Sequence, residues 1–203
     1  MTVGRAGGRP PFVGLTGGMA AGKTEALGAL ERLGAATISS DDVVHELLAS
    51  DEVRDLLAER FGDRVVHGGE VDRSAVAEVV FGDSHEREWL EGELWPRVGR
   101  RIAEWRDELA EREEPPRAAV VEVPLLFEAG MKDGFDATVA IVAPERLCEE
   151  RAADRGHAGI ESRASRQLSQ EEKAARANHV VENDGDLGDL ERKMAAVLDA
   201  VRR

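Results

Sequence analysis

The sequence predicts an α/β fold of the doubly wound class, in which a parallel five-stranded sheet carries helices on both faces. Five short segments are almost continuously apolar and rich in β-branched residues, as strands covered on both faces are. Helical patterns separate these segments, and the pattern that follows the first one stops at Gly34, a residue typical of helix ends. The predicted strands are 12–16, 36–39, 118–123, 137–143 and 179–182.

One connection is too long for a single crossover helix and therefore predicts an insertion. Between the second and third predicted strands, helical patterns cover 43–60 and 86–114, and two prolines end the second pattern. A further helical stretch, rich in arginine and glutamate, separates the last two strands. The predicted organisation is a flexible tail over 1–11, a core over 12–41, 117–143 and 177–203, a helical insertion over 42–116, and a helical lid over 144–176.

The overall charge excludes some classes of partner. The 203 residues include 27 basic and 41 acidic side chains, which gives a net charge of −14 and would repel a nucleic-acid backbone. Cys148 is the only cysteine, so an internal disulfide is impossible and a reducing compartment is suitable. No segment approaches the apolar length of a membrane span. We expect a cytoplasmic protein without nucleic-acid or membrane partners, either a monomer or a small homo-oligomer.

A glycine-rich motif lies between the first predicted strand and the first predicted helix. Residues 17–24 read Gly-Gly-Met-Ala-Ala-Gly-Lys-Thr, which matches the Walker A pattern Gly-x4-Gly-Lys-Ser/Thr of P-loop proteins. Such a loop turns backbone amides onto phosphates, while Lys23 reaches the β- and γ-phosphates and the Thr24 hydroxyl binds Mg²⁺. We therefore expect ATP and Mg²⁺ as ligands. The expected nucleotide contacts in this region are Gly17, Ala20, Ala21, Gly22, Lys23, Thr24 and Glu25.

Three carboxylates follow or end predicted strands, at the edge of the sheet where doubly wound folds place their chemistry. Asp41 and Asp42 come just after the second strand, where a general base for an acceptor hydroxyl is needed. The alternative for both is a carboxylate at a helix start, and we favour that alternative for Asp42. Glu122 ends the third strand, where it would bind Mg²⁺ through water or else pair with an arginine.

Arginines are concentrated in the predicted lid. Arg151 and Arg155 are four residues apart and share one helix face, and Arg163 and Arg166 follow after a short loop. Together they would close over the triphosphate and offset the charge that develops during phosphoryl transfer, with Arg151 catalytic and Arg155 on the nucleotide. The alternative is a solvated face paired with neighbouring glutamates.

Several segments resemble dephospho-coenzyme A kinases, and the resemblance extends over residues 12–190. The segments are 14–24, 71–73 with 80–81, the run Val-Pro-Leu-Leu-Phe-Glu at 123–128, the pairs Arg151 with Arg155 and Arg163 with Gln167, Lys173, and Val-Val-Glu-Asn-Asp-Gly at 180–185. This resemblance implies transfer of the ATP γ-phosphoryl group to the ribose 3′-hydroxyl of dephospho-coenzyme A. It also implies that the helical insertion binds the coenzyme A portion.

The resemblance also implies individual roles. Asp41 matches the second Asp of the family's Asp-Ala-Asp motif, which carries the base role, and Asn183 would border the adenine. Four positions depart from the family pattern, namely Ser39, Trp95, Glu122 and Asn178. Two alternatives stay open: another P-loop kinase that acts on a nucleoside or small molecule, and a nucleotide-binding protein without turnover.

Overall fold

The computed structural model describes residues 9–154 and 167–202, and the chain divides into two compact units. We call residues 40–105 the helical unit and the described residues on either side of it the core unit. The strands are β1 (Phe12–Gly17), β2 (Ala36–Ser39), β3 (Val66–His67), β4 (Glu70–Val71), β5 (Ala119–Glu122), β6 (Ala137–Val142) and β7 (His179–Glu182). The helices of the described residues are α1 (Lys23–Arg32), α2 (Ser40–Leu48), α3 (Asp51–Phe61), α4 (Arg73–Gly82), α5 (Ser84–Ala110), α6 (Glu145–Asp154), α7 (Gln170–Arg176) and α8 (Leu187–Val201).

A five-stranded parallel sheet forms the centre of the core unit, in the order β2-β5-β1-β6-β7. All six residues of β1 are buried, which agrees with a strand covered on both faces. β1 pairs with β5 on one side and with β6 on the other, so the chain turns in opposite directions from it and opens a crevice at its carboxyl end. The predicted doubly wound α/β fold is therefore confirmed, and the five predicted strands match β1, β2, β5, β6 and β7.

The main hydrophobic core lies between this sheet and the helices α1 and α8. Leu15 of β1 and Ile141 of β6 are fully buried, and they belong to one cluster with Leu30 of α1 and with Met194 and Leu198 of α8. Because α1 is fixed against the sheet by this cluster, its first turn is held at the carboxyl edge of β1. The core thus positions the helix start that follows the glycine-rich motif.

The helical unit has its own core and contains a hairpin that the sequence patterns did not indicate. Val53, Leu57 and Phe61 of α3 pack with residues of α5, including Trp89. The predicted helical pattern over 43–60 forms two helices instead of one, because Ser50 caps the second helix by accepting a hydrogen bond from the Val53 amide. Strands β3 and β4 pair antiparallel over two residues each. Among the described residues, no helix has both the length and the apolar character that crossing a bilayer requires.

Two leucines of α8 offer a test of the core. Leu198 is buried and Leu187 is 63% exposed, so Leu198→Ala should lower the free energy of unfolding by about 2–5 kcal/mol and Leu187→Ala by less than about 0.5 kcal/mol. Urea denaturation followed by circular dichroism measures both. Equal losses for the two variants would contradict the assignment of α8 to the core.

Candidate active site

The loop between β1 and α1 has a backbone shaped for a bound anion. Gly22 precedes α1 with φ 99° and ψ 33°, and Ala20 also has a positive φ, 55°. Gly22, the residue before α1, has no side chain that could cap the start of the helix. The first backbone amides of the helix and the positive end of its dipole therefore face the crevice. This arrangement is the one that binds phosphate in P-loop proteins.

Two glycines of the loop are required by their surroundings. A Cβ atom at Gly22 would lie 2.1 Å from Asn183 Nδ2, in a backbone conformation that side chains rarely adopt. A Cβ atom at Gly18 would lie 2.5 Å from Cγ of Gln170. The loop is thus packed closely from both sides, by the residue that follows β7 and by the first residue of α7.

Asn183 ties the end of β7 to the loop. Its side chain is 6% exposed, and Nδ2 donates a hydrogen bond of 2.8 Å to the Ala21 carbonyl oxygen. Its backbone amide donates to the carbonyl oxygen of Val142, at the end of β6. These two bonds link the ends of β6 and β7 to the loop and fix the position of the Ala21 carbonyl.

The lysine and hydroxyl groups of the motif occupy the first turn of α1. Lys23 Nζ donates to the carbonyl oxygens of Gly17, at 3.4 Å, and Gly18, at 3.0 Å, so the ammonium group lies along the loop. Thr24 is exposed in the same turn. Glu25 is half-buried in the same turn, where the helix dipole favours a carboxylate.

Arg151 lies in α6, and its charge acts on the same thiol, that of Cys148, as the charge of Lys23. Nη1 of Arg151 is buried and makes no hydrogen bond to any described residue. Burial raises the pKa of the Cys148 thiol, while the charges of Arg151 and Lys23 both act to lower it, so the two cations are within electrostatic range of one thiol. Arg155, Arg163 and Arg166 lie outside the described residues.

Glu122 and Ser39 face each other at the carboxyl edge of the sheet. They are paired in the register of β5 with β2, and the Ser39 hydroxyl donates a hydrogen bond of 2.9 Å to Glu122 Oε2. Among the described residues there is no cluster of three or more metal-ligating side chains. Mg²⁺ fits such a site, because in phosphoryl-transfer enzymes it binds one or two protein groups and completes its shell with water and phosphate oxygens.

Asp41 and Asp42 lie in the first turn of α2, and both are exposed. Asp41 follows Ser39, the last residue of β2, by two positions. Its carboxylate thus lies within the helical unit, directly after the chain leaves the sheet.

Comparisons with known proteins agree with this geometry. The family model for dephospho-CoA kinase matches residues 11–189. The chain belongs to the dephospho-CoA kinase family. The dephospho-CoA kinase of Salinibacter ruber is 39% identical over 194 residues, which cover 93% of this chain and 96% of that protein. The family assignment makes the chain an ATP-dependent kinase.

Solved structures give the same result for the fold. The crystal structure of TT1252 from Thermus thermophilus is 33% identical and aligns with a TM-score of 0.81 over 95% of this chain and 98% of that one. Dephospho-CoA kinase from Campylobacter jejuni, at 24% identity, aligns with a TM-score of 0.64 over 96% of this chain and 98% of that one, and it supports the fold alone.

The sequence analysis assigned no function to a buried network beside the phosphate loop. Lys173 of α7 is fully buried, and its Nζ donates 2.5 Å to the Pro124 carbonyl oxygen and lies 3.2 Å from Glu128 Oε1. The same carboxylate oxygen accepts a bond from the Leu168 amide, and the Pro124 carbonyl also accepts one from Thr16 at the end of β1. Lys173 and Glu128 therefore join the turn after β5, the start of α7 and the end of β1, which leads into the phosphate loop.

Gln170 adds a second link that motif reasoning missed. Its side-chain amide forms two bonds with the backbone of Ala143, with Oε1 accepting at 2.9 Å and Nε2 donating at 3.1 Å. Because the same side chain contacts Gly18, α7 holds the loop in place from the end of β6. Asn178, one of the departures from the family pattern, has a structural role instead: its Oδ1 accepts bonds from the Thr138 amide and hydroxyl.

Replacement of Gly22 should damage nucleotide binding without unfolding the protein. Gly22→Ala places a methyl group against Asn183 in a strained backbone, so affinity for a non-hydrolysable ATP analogue should fall roughly ten- to hundredfold. Isothermal titration calorimetry measures the affinity. The control is Gly92→Ala in α5, where no described atom lies within 4 Å of the new Cβ, and its affinity should stay unchanged. A normal affinity in Gly22→Ala would contradict the loop geometry.

The Lys173–Glu128 pair predicts a double-mutant result. Lys173→Met leaves a buried carboxylate unpaired and should cost about 3–5 kcal/mol of unfolding free energy at neutral pH. Adding Glu128→Gln removes that unpaired charge, so the double variant should recover part of the loss. Denaturant unfolding of the wild type, both single variants and the double variant measures the coupling, and simple additivity would contradict a paired buried charge.

The same pair predicts a pH dependence. Burial lowers the pKa of Lys173 from 10.5, although the charge of Glu128 acts in the opposite direction. Between the lowered pKa and 10.5 the unfolded chain binds this proton more strongly, so the lysine's contribution to stability rises with pH in that window. The stability of the wild type relative to Lys173→Met/Glu128→Gln should therefore increase from pH 7 to pH 10, and a decrease would contradict the sign.

Proposed function

We propose that the chain transfers the γ-phosphoryl group of ATP to the ribose 3′-hydroxyl of dephospho-coenzyme A, with products coenzyme A and ADP. The observation that carries this proposal is a loop that matches the Walker A motif and leads through Gly22, in the left-handed conformation, into the start of α1, in a chain of this family. The loop supports binding of the triphosphate, and the family supports the choice of acceptor.

We assign electrostatic stabilisation to Lys23 and Arg151. Lys23 already lies along the loop carbonyls, and a small rotation of its flexible stem brings Nζ to the β- and γ-phosphates. Arg151 keeps a buried Nη1 without a partner among the described residues, so it can donate to the phosphoryl oxygens without first breaking a hydrogen bond. Both groups offset the negative charge that the transferred group spreads over its oxygens.

Mg²⁺ is the cation that we propose for Thr24 and Glu122. These two residues would hold the ion, which would supply neutralisation of the phosphate charge. Glu122 would act through water, with Ser39 fixing one carboxylate oxygen. Ser39 and Glu122 are two of the departures from the family pattern, and they are hydrogen-bonded to each other. The longer side chain of Glu122 is thus paired with the shorter side chain of Ser39.

Asp41 is the general base in this proposal. It accepts the proton of the 3′-hydroxyl as the ribose oxygen attacks the γ-phosphorus, and the bond from phosphorus to the β–γ bridging oxygen breaks as ADP leaves. Asp42, its neighbour in the first turn of α2, is assigned to the helix dipole. The nucleotide contacts are assigned to Gly17, Ala20, Ala21, Gly22, Glu25, Arg155 and Asn183, with Asn183 also at the adenine. We place the enzyme in the cytoplasm, as a monomer or small homo-oligomer without nucleic-acid or membrane partners.

A screen of acceptors tests the proposal. ATP consumption is measured with dephospho-coenzyme A, adenosine, uridine and shikimate, and turnover should be at least a hundredfold faster with dephospho-coenzyme A. Preference for another acceptor would assign the chain a different kinase activity. Nucleotide binding without turnover of any acceptor would make it a binding protein.

Removal of the proposed base should separate chemistry from binding. Asp41→Asn should lower kcat by roughly 10² to 10⁴, because the amide cannot accept the proton, while the affinity for ATP persists. Steady-state kinetics and calorimetry measure the two quantities. Asp42→Asn is the matched control, with turnover within about threefold of the wild type. Near-normal turnover in Asp41→Asn, or an equal loss in both variants, would refute the base assignment.

A further inference from the structure

The helical unit contains a cavity of about 300 Å³ that lies entirely within it. The volume is at the lower end of the range of small-molecule sites, about 300–1,000 Å³. The C-terminal part of α2, the first turn of α3, the β3–β4 hairpin and the start of α4 surround it. Its lining residues are His45, Leu48, Ala49, Arg54, Gly69, Glu70, Val71 and Arg73.

Basic groups are gathered here within an otherwise acidic unit. Acidic side chains outnumber arginines in residues 40–105, yet the cavity is lined by Arg54, Arg73 and His45 against one carboxylate, Glu70. A chain with a net charge of −14 repels an anionic substrate unless positive groups are concentrated where it binds. The side chains that line the cavity include more basic than acidic groups.

The two arginines differ in a way that suits a phosphate ligand. Arg54 is held by Asp51 and Asp55 through three hydrogen bonds, from Nη1 at 2.5 Å and from Nε and Nη2 at 3.0 and 2.8 Å. A guanidinium group has five N–H donors, so two remain for a ligand in a fixed orientation. The neighbouring aspartates offset its charge. Arg54 would therefore orient a ligand through directed hydrogen bonds more than attract it through net charge.

Arg73 contributes the net charge. It is the first residue of α4, and Asp72 fixes the backbone there by accepting hydrogen bonds from the Ser74 and Ala75 amides. The Arg73 side chain is exposed and has no hydrogen bond or ion pair with any residue in the described ranges. An unpaired guanidinium beside a cavity, in a unit rich in carboxylates, is available to an external anion, and its fork matches phosphate oxygens.

We propose that this cavity binds the diphosphate group of the acceptor, with Arg73 and Arg54 as the donors and Leu48 and Val71 against the adjoining carbon chain. The proposal rests on the proposed function, because dephospho-coenzyme A carries a diphosphate between its adenosine and pantetheine parts. ATP offers the same chemistry from a second source. The acceptor is the better occupant, because the triphosphate already has the loop and Lys23 of the core unit.

Kinetics with both substrates test the site. Arg73→Ala should raise KM for dephospho-coenzyme A roughly ten- to hundredfold and leave KM for ATP within about twofold, since a charge-assisted bond is lost only to the acceptor. Arg73→Lys should be intermediate, because it keeps the charge and loses the fork. Glu70→Gln removes the opposing carboxylate and should lower the same KM severalfold. Arg100→Ala is the matched control, an exposed arginine of the helical unit that does not line the cavity.

Calorimetric titration of dephospho-coenzyme A without ATP separates this proposal from the proposed function. Binding to the wild type that weakens at least tenfold in Arg73→Ala, but not in Arg100→Ala, supports the cavity even if no turnover occurs. The proposal is overturned by equal affinities in the wild type and Arg73→Ala, by no binding to the wild type, or by a rise in KM for ATP instead of the acceptor. Thermal melting of each variant confirms that it is folded.

Discussion

The start of α1 is the constraint on which the rest of the core unit depends. A helix leaves its first backbone amides without hydrogen-bond partners inside the helix. In many helices the side chain of the residue before the helix supplies such a partner. Here the residue before the helix is Gly22, which has no side chain to do so. The backbone amides and the helix dipole are thereby available to a ligand. The fold places this helix start at the carboxyl end of β1, which has β5 on one side and β6 on the other.

An open helix start is useful only if the loop before it keeps its shape. Asn183 binds the Ala21 carbonyl, Gln170 packs on Gly18, and Lys173 links the turn after β5 to α7. Buried polar groups of this kind are costly unless they are paired, and each of these three side chains has its partner. The chain thus uses side chains from its C-terminal third to hold a loop near its N-terminus.

The sequence predicted the sheet and the loop because both leave local signals. Buried parallel strands give continuous apolar runs, and the Walker A spacing is specific. The β3–β4 hairpin was missed because two residues per strand show no period, and the break before α3 was missed because the apolar pattern continues across Ser50. Gln170 and Lys173 gave no local signal, since their backbone partners are 27 and 49 residues away. Lys173 appeared only as part of the family resemblance.

The central claim is that the amides around the start of α1 bind the phosphates. Hydrogen–deuterium exchange with and without a non-hydrolysable ATP analogue and Mg²⁺ tests it directly, because bound phosphate oxygens protect the amides that donate to them. The account predicts that exchange slows at least tenfold at residues 18–24. Binding of the analogue with unchanged exchange at these residues, and protection elsewhere in the chain, would contradict it.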